Sequence, residues 1–313
     1  MPSFLEKFSW PKKTTPELAT NLPEGEITPE TKNEETTPNR LIKYGELVIN
    51  SLCKNYETQG FDELKNFKNE HQADKFVITG SHMNNLDVPA ALKTLGPEFN
   101  LQVTGNELFE KKIKYLAQNI GVNTLFHDRF TTLGQKAEDK IEEGPDGKKK
   151  KVTIESGVFR PENFTELDKQ MEKGRTLWMA THSFSEEGKM RQVDNGALIE
   201  AYRQNAWVIP TALELTSGSK NMQGVKEIAK NLKDSGAVYH IGKPYKPEAL
   251  PEGYDINILT DVVNKRKSGE EVSPAEFEAF KNVHHFLSEQ TEKLGKIISD
   301  MLPEEQRGFY QKL

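Results

Sequence analysis

The chain has a single cysteine, Cys53, in 313 residues. One cysteine excludes an intrachain disulfide and a cysteine-based zinc site, and it fits a reducing compartment. Long apolar runs are missing too. No stretch reaches the ~18 residues a membrane-spanning helix needs, and the N-terminus lacks the apolar core of a secretory signal. Any membrane contact is therefore expected to be peripheral, on an otherwise cytoplasmic protein. Nor is there a surplus of positive charge: 48 acidic against 42 basic residues leave a formal charge of -6, so no polycationic footprint argues for nucleic acid. The seven histidines occur without an HxH, an HExxH or an Asp-rich loop, and no metal is expected. The GxSxG elbow of serine hydrolases is absent, which sets Ser81, Ser183 and Ser185 aside as nucleophiles. No other cofactor is expected, and no internal repeat is visible.

What is present centres on Phe76-Val-Ile-Thr-Gly-Ser-His82-Met-Asn-Asn-Leu-Asp87. An apolar, β-branched run stops at Gly80 and a helix-like segment follows from Val88 to Leu95, so His82 is expected where a strand leaves a sheet. Ligands of open α/β sheets bind at that edge, where loops and helix N-termini expose backbone N–H groups. Residues five apart lie on different faces of a straight helix. With His82 in the loop and Asp87 in the first helical turn, however, the carboxylate folds back onto the imidazole. Asp87 would hold one ring nitrogen as N–H and leave the other to accept a proton from a substrate hydroxyl. Read alone, the pattern is more often a loop histidine beside an N-cap aspartate.

Around this stretch the chain reads as an α/β protein: a mixed, largely parallel central sheet flanked by helices, with an N-terminal helical cover. Residues 1–40, rich in Pro, Thr, Glu, Lys and Asn, read as a disordered arm. Within it Phe4, Leu5, Phe8 and Trp10 with Lys7, Lys12 and Lys13 could form a short amphipathic anchor. Residues 41–72 read as two helices broken near Gly60, and 73–250 as the α/β domain. Strands are expected at 76–81, 101–104, 120–126, 176–181, 206–213 and 237–244. Helices are expected near 107–119, 161–172, 194–204 and 225–233. The Lys111, Lys112 and Lys114 cluster on the first of these reads as a solvated face, or as one that attracts an acidic carrier or anionic headgroups. Residues 134–160 read as an exposed charged hairpin or loop insertion, and 251–313 as a helical segment with Val283, Phe286, Leu287, Leu294 and Ile297 on one stripe.

Four stretches in one order carry a resemblance. His82-Met-Asn-Asn-Leu-Asp87 is an HxxxxD block after a strand. Gly121-Val-Asn-Thr-Leu-Phe-His127-Asp128-Arg129 is a glycine, a short apolar strand and an arginine. Phe184-Ser-Glu-Glu187-Gly188-Lys189-Met-Arg191 is similar to a Phe-Pro-Glu-Gly-Thr-Arg block, and Val208-Ile-Pro210 closes an apolar strand on proline. Together, over roughly residues 75–245, they resemble the HxxxxD-type glycerolipid acyltransferase family. The third block departs from the family pattern: proline is replaced, one acidic residue is added, and the basic residue falls at Lys189 or Arg191.

The resemblance implies transfer of a fatty acyl group from acyl-CoA or acyl carrier protein to a hydroxyl of glycerol 3-phosphate or a lysophospholipid such as lysophosphatidic acid, in phospholipid biosynthesis. It implies His82 as general base oriented by Asp87. Arg129, Glu187, Gly188 and Lys189 or Arg191 would bind the phosphorylated acceptor, with Glu187 equally readable as a helix cap. No acyl-enzyme is required, in keeping with the lone Cys53. A second function class on the same fold is a catalytically inactive lipid-binding or scaffold protein.

Overall fold

The structure is a computed structural model and describes residues 36–84, 86–106, 130–133, 137–143, 149–155, 161–182, 185, 188–216 and 236–312. Strand β2 (Phe76–Gly80) is buried at all five positions, as an apolar, β-branched sequence requires when both faces of a sheet are covered. Its side chains alternate between two cores. Ile78 points into one with Ile49, Leu64, Leu92 and Leu95, and Val77 into the other with Phe164, Leu198, Leu287 and Leu294. The result is a helix–sheet–helix sandwich.

The first face carries α1 (Thr36–Leu52), α2 (Phe61–Glu70) and α3 (Asp87–Leu95); the second carries α4 (Pro161–Glu172), α5 (Gly196–Arg203), α6 (Ile258–Ser268) and α7 (Pro274–Asp300). Helix α7 starts on a capping box, in which Ser273 and Glu276 satisfy each other's backbone N–H, with Pro274 in the first turn. The remaining strands are β1 (Asn55–Gln59), β3 (Leu101–Asn106), β4 (Phe130–Leu133), β5 (Ala137–Glu143), β6 (Lys149–Glu155), β7 (Thr176–Ala180), β8 (Trp207–Thr216) and β9 (Gly236–Ile241). Among the described residues the main sheet has seven strands in the order β1-β9-β8-β2-β7-β3-β4. Every pairing is parallel except β8 with β9. The expected mixed, largely parallel α/β sheet is thus the observed one. Within 134–160, β5 and β6 pair antiparallel as a separate two-stranded sheet.

Register decides what surrounds the end of β2. Strand β8 pairs with it from Phe76↔Trp207 to Gly80↔Thr211. Ala212–Thr216 then run past the end of β2 and pair with β9. This extension walls one side of the loop that follows Gly80.

Three expectations need correction. The stretch read as two helices contains strand β1 between them; Asn-Tyr-Glu-Thr-Gln is a mostly exposed edge strand with no apolar alternation to reveal it. Helix α1 begins at Thr36, inside the segment read as a disordered arm. On α7 it is Ile298, fully buried, that continues the stripe of Val283, Leu287 and Leu294, whereas Ile297 is 38% exposed; four-residue steps from Leu294 reach 298. The Phe4–Lys13 segment, the 107–119 and 225–233 helices and the 120–126 strand lie outside the described residues. Among the described residues no helix is long and apolar enough to cross a membrane.

Candidate active site

Gly80 ends β2 because nothing larger fits: a Cβ there would lie 2.4 Å from Thr211 Oγ1 on β8. Its carbonyl accepts two hydrogen bonds, from the Thr181 N–H and the Thr181 hydroxyl, each at 2.9 Å. The loops leaving β2 and β7 are laced together further along. The His82 N–H donates to His182 Nε2 at 3.4 Å, and the Ser185 N–H donates to the His82 carbonyl at 3.1 Å. His182 itself is buried. The backbone of His82 is therefore held from both sides by the residues after β7.

The turn into α3 explains how Asp87 reaches back. Asn84 Oδ1 accepts the Leu86 N–H at 2.8 Å, and Asp87 Oδ2 accepts the Asn84 N–H at 2.9 Å. The Asn84 side chain thus closes an Asx turn on Leu86, and the Asp87 carboxylate reaches back over that turn to the Asn84 backbone. Pro89, in the first helical turn, gives up no hydrogen bond because those N–H groups lack intrahelical partners. The same Asp87 Oδ2 lies 3.4 Å from His82 Nδ1. One oxygen therefore holds the Asn84 N–H and faces the ring; Asp87 is the first residue of α3 and not its N-cap, which is Leu86 and makes no side-chain cap. At 3.4 Å the contact is long for a hydrogen bond, as His–carboxylate contacts often are before substrate binds.

The two side chains differ in environment. Asp87 is 2% exposed and His82 19%. Burial raises the Asp87 carboxyl above the ordinary range, while His82 and the Asn84 and Met83 amides pull it down. A buried carboxylate of this kind is best compensated when its neighbour carries positive charge. The more open His82 ring is the side chain placed to face it. Ser81, next to it, buries its hydroxyl without a hydrogen-bond partner and so has no base to activate it.

The other residues named from the sequence divide into two groups. Gly188, Lys189 and Arg191 lie on the segment after β7, the strand adjacent to β2. Gly188 has φ +64, a left-handed conformation suited to glycine, and its N–H is taken into a turn by the Ser185 carbonyl at 3.4 Å. That N–H, read from the sequence as a donor to an acceptor or oxyanion, makes the turn instead. Lys189 and Arg191 are both exposed. Arg129, with His127 and Asp128, and Glu187 lie outside the described residues. Thr181 and His182 were not singled out as site residues, and only their position at the end of a strand hinted at the role. Among the described residues no group of three or more His, Cys, Asp or Glu side chains is arranged to hold a metal ion.

Fold and site together define an α/β protein with a buried-Asp/His pair at the C-terminal edge of its central parallel strand. No protein-family model matches the sequence, and no curated protein sequence matches it. Solved structures of similar layout include the 1-acyl-sn-glycerophosphate (LPA) acyltransferase PlsC from Thermotoga maritima. It is 12% identical with a TM-score of 0.44, over 76% of this chain and 82% of that one. A likeness at that level assigns no residue roles to this chain.

Proposed function

We propose that the protein is an acyltransferase that moves a fatty acyl group from an acyl thioester, acyl-CoA or acyl carrier protein, to a hydroxyl of glycerol 3-phosphate or a lysophospholipid such as lysophosphatidic acid. The observation that carries the reading is the contact of the buried Asp87 carboxylate with His82 Nδ1 at the end of β2. With Nδ1–H donated to Asp87, Nε2 takes the proton of the acceptor hydroxyl while its oxygen bonds to the thioester carbonyl carbon. The tetrahedral intermediate then expels the thiolate, the C–S bond breaks, and the imidazolium returns the proton to sulfur. Asp87 holds the tautomer and offsets the transient positive charge. Lys189 and Arg191 supply cations for the acceptor phosphate. Arg129 and Glu187 enter through the family resemblance alone. The protein works in phospholipid biosynthesis from the cytoplasmic side, docking peripherally when its acceptor is a membrane lipid.

Thiol release tests this directly, with purified wild type and His82→Ala, either donor, and glycerol 3-phosphate or lysophosphatidic acid. Acceptor-dependent release that is lost in the variant is the expected result. A folded wild type that releases no thiol with any pairing would leave a catalytically inactive lipid-binding or scaffold protein as the better reading.

A further inference from the structure

After α7 the chain turns back through two short 3-10 turns, Glu304–Gln306 and Gly308–Lys312, and meets the segment carrying Lys189 and Arg191. The Met190 N–H donates to the Gln306 carbonyl at 2.9 Å and the Phe309 N–H donates to the Met190 carbonyl at 3.0 Å. Both backbone groups of Met190 are thereby used. Three residues on, the Val193 N–H donates to the Tyr310 hydroxyl at 3.0 Å. Gln306 also reaches the β8 extension, donating from Nε2 to the Leu215 carbonyl at 3.3 Å.

Two glycines make this fit possible. A Cβ on Gly308, which has φ +52, would lie 2.1 Å from the Met190 carbonyl oxygen. A Cβ on Gly295 of α7 would lie 2.2 Å from the Tyr310 phenol, so the helix surface is cut away where the ring seats. Met190, Val193 and Tyr310 are buried by the contact, whereas Lys189 and Arg191, on either side of Met190, remain exposed. Pinning Met190 inward fixes the backbone that carries its two cationic neighbours.

We infer that Gln306–Tyr310 is a clasp that holds Lys189 and Arg191 in place as the edge recognising the acceptor's phosphate, with Gly308 and Tyr310 as positioning residues. The phosphate role rests on the acyltransferase reading; the clasp itself does not. Tyr310→Phe removes only the hydroxyl that accepts the Val193 N–H. Gly308→Ala forces a methyl group into the Met190 carbonyl.

The test uses full-length wild type and both variants, with two readouts. The first is thiol release with phosphorylated and unphosphorylated acceptors: glycerol 3-phosphate against glycerol, and lysophosphatidate against monoacylglycerol. Tyr310→Phe is expected to raise KM for the phosphorylated acceptor roughly three- to tenfold, the scale of one lost hydrogen bond. The donor KM, kcat and turnover of the uncharged acceptor should not move, and Gly308→Ala should shift the same parameter further. The second readout is amide hydrogen exchange, which is expected to quicken at Met190 and Val193 in both variants. Equal losses with charged and uncharged acceptors, or faster exchange with an unchanged acceptor KM, would overturn the phosphate role. Unchanged exchange at both amides would overturn the clasp. A wild type inert with every pairing overturns the acyltransferase reading and the phosphate role with it, while exchange still decides the clasp.

Discussion

One carboxylate oxygen, Asp87 Oδ2, both accepts the Asn84 N–H at 2.9 Å and faces His82 Nδ1 at 3.4 Å. The Asn84 N–H fixes the carboxylate, and the carboxylate fixes the ring. His82→Ala is therefore expected to cut kcat by ~10²- to 10⁴-fold, the usual scale of a general base, with little change in Tm. In Asp87→Asn an oxygen at that position keeps both contacts without the charge that offsets an imidazolium, and an amide nitrogen there loses the Asn84 N–H and favours the wrong tautomer. The variant's loss of kcat should approach that of His82→Ala. Because burial raises the Asp87 carboxyl, activity that needs it ionised should fall with decreasing pH at values above the ordinary aspartate range. Wild-type rates held level down to the ordinary range would contradict the assigned role.

Direct attack on the thioester leaves no task for a cysteine nucleophile. Cys53 is buried, and burial pushes its thiol up to about 11, with Lys93 opposing. Native protein should react with a thiol reagent only slowly, and unfolded protein rapidly. Cys53→Ala should retain wild-type kcat. Loss of turnover in that variant, with its fold intact, would point to a covalent intermediate instead.

The parts of the site that the sequence announced are those with local signals. An apolar run ending in Gly80, followed by His82 and a helical pattern from Asp87, is readable because neighbours in sequence make the contacts. The parts it hid are made at long range. His182 meets the His82 N–H across 100 positions, and Tyr310 meets the Val193 N–H across 117. Neither residue belongs to a motif, and each acts on a backbone group that carries no sequence signature. Strand β1 was hidden for a different reason. Its polar residues lie on an exposed edge, where pairing comes from the backbone and burial imposes no pattern.

Helix α1 touches α3 at backbone distance through Gly45. A Cβ there would lie 2.7 Å from the Pro89 carbonyl oxygen and 2.8 Å from the Lys93 nitrogen. On an exposed helix, glycine to alanine gains up to ~1 kcal/mol of helix propensity. Gly45→Ala should instead destabilise by roughly 1–3 kcal/mol, because the methyl group must push α3 away. A rise in Tm would show that the two helices do not pack so closely.

At the opposite edge of the sheet from His82, Glu200 on α5 is fully buried, with no hydrogen-bond partner for either carboxylate oxygen. Asp168, which accepts from Arg203 Nη2 at 2.6 Å, adds a negative charge nearby. Burial first and then Asp168 push the Glu200 carboxyl up from its ordinary 4.5 to about 8, with Arg203 opposing. Below 4.5 folded and unfolded chains both carry the proton, and the group costs nothing. Between there and about 8 the unfolded chain ionises first. Stability then falls with rising pH by up to about 1.4 kcal/mol per unit. Above the folded value both states are ionised and the loss is constant. Glu200→Gln resembles the protonated side chain at every pH and removes this dependence. The variant should melt close to wild type near pH 4 and well above it near pH 9, so a difference in Tm that does not grow with pH would mean that Glu200 is ionised in the fold throughout.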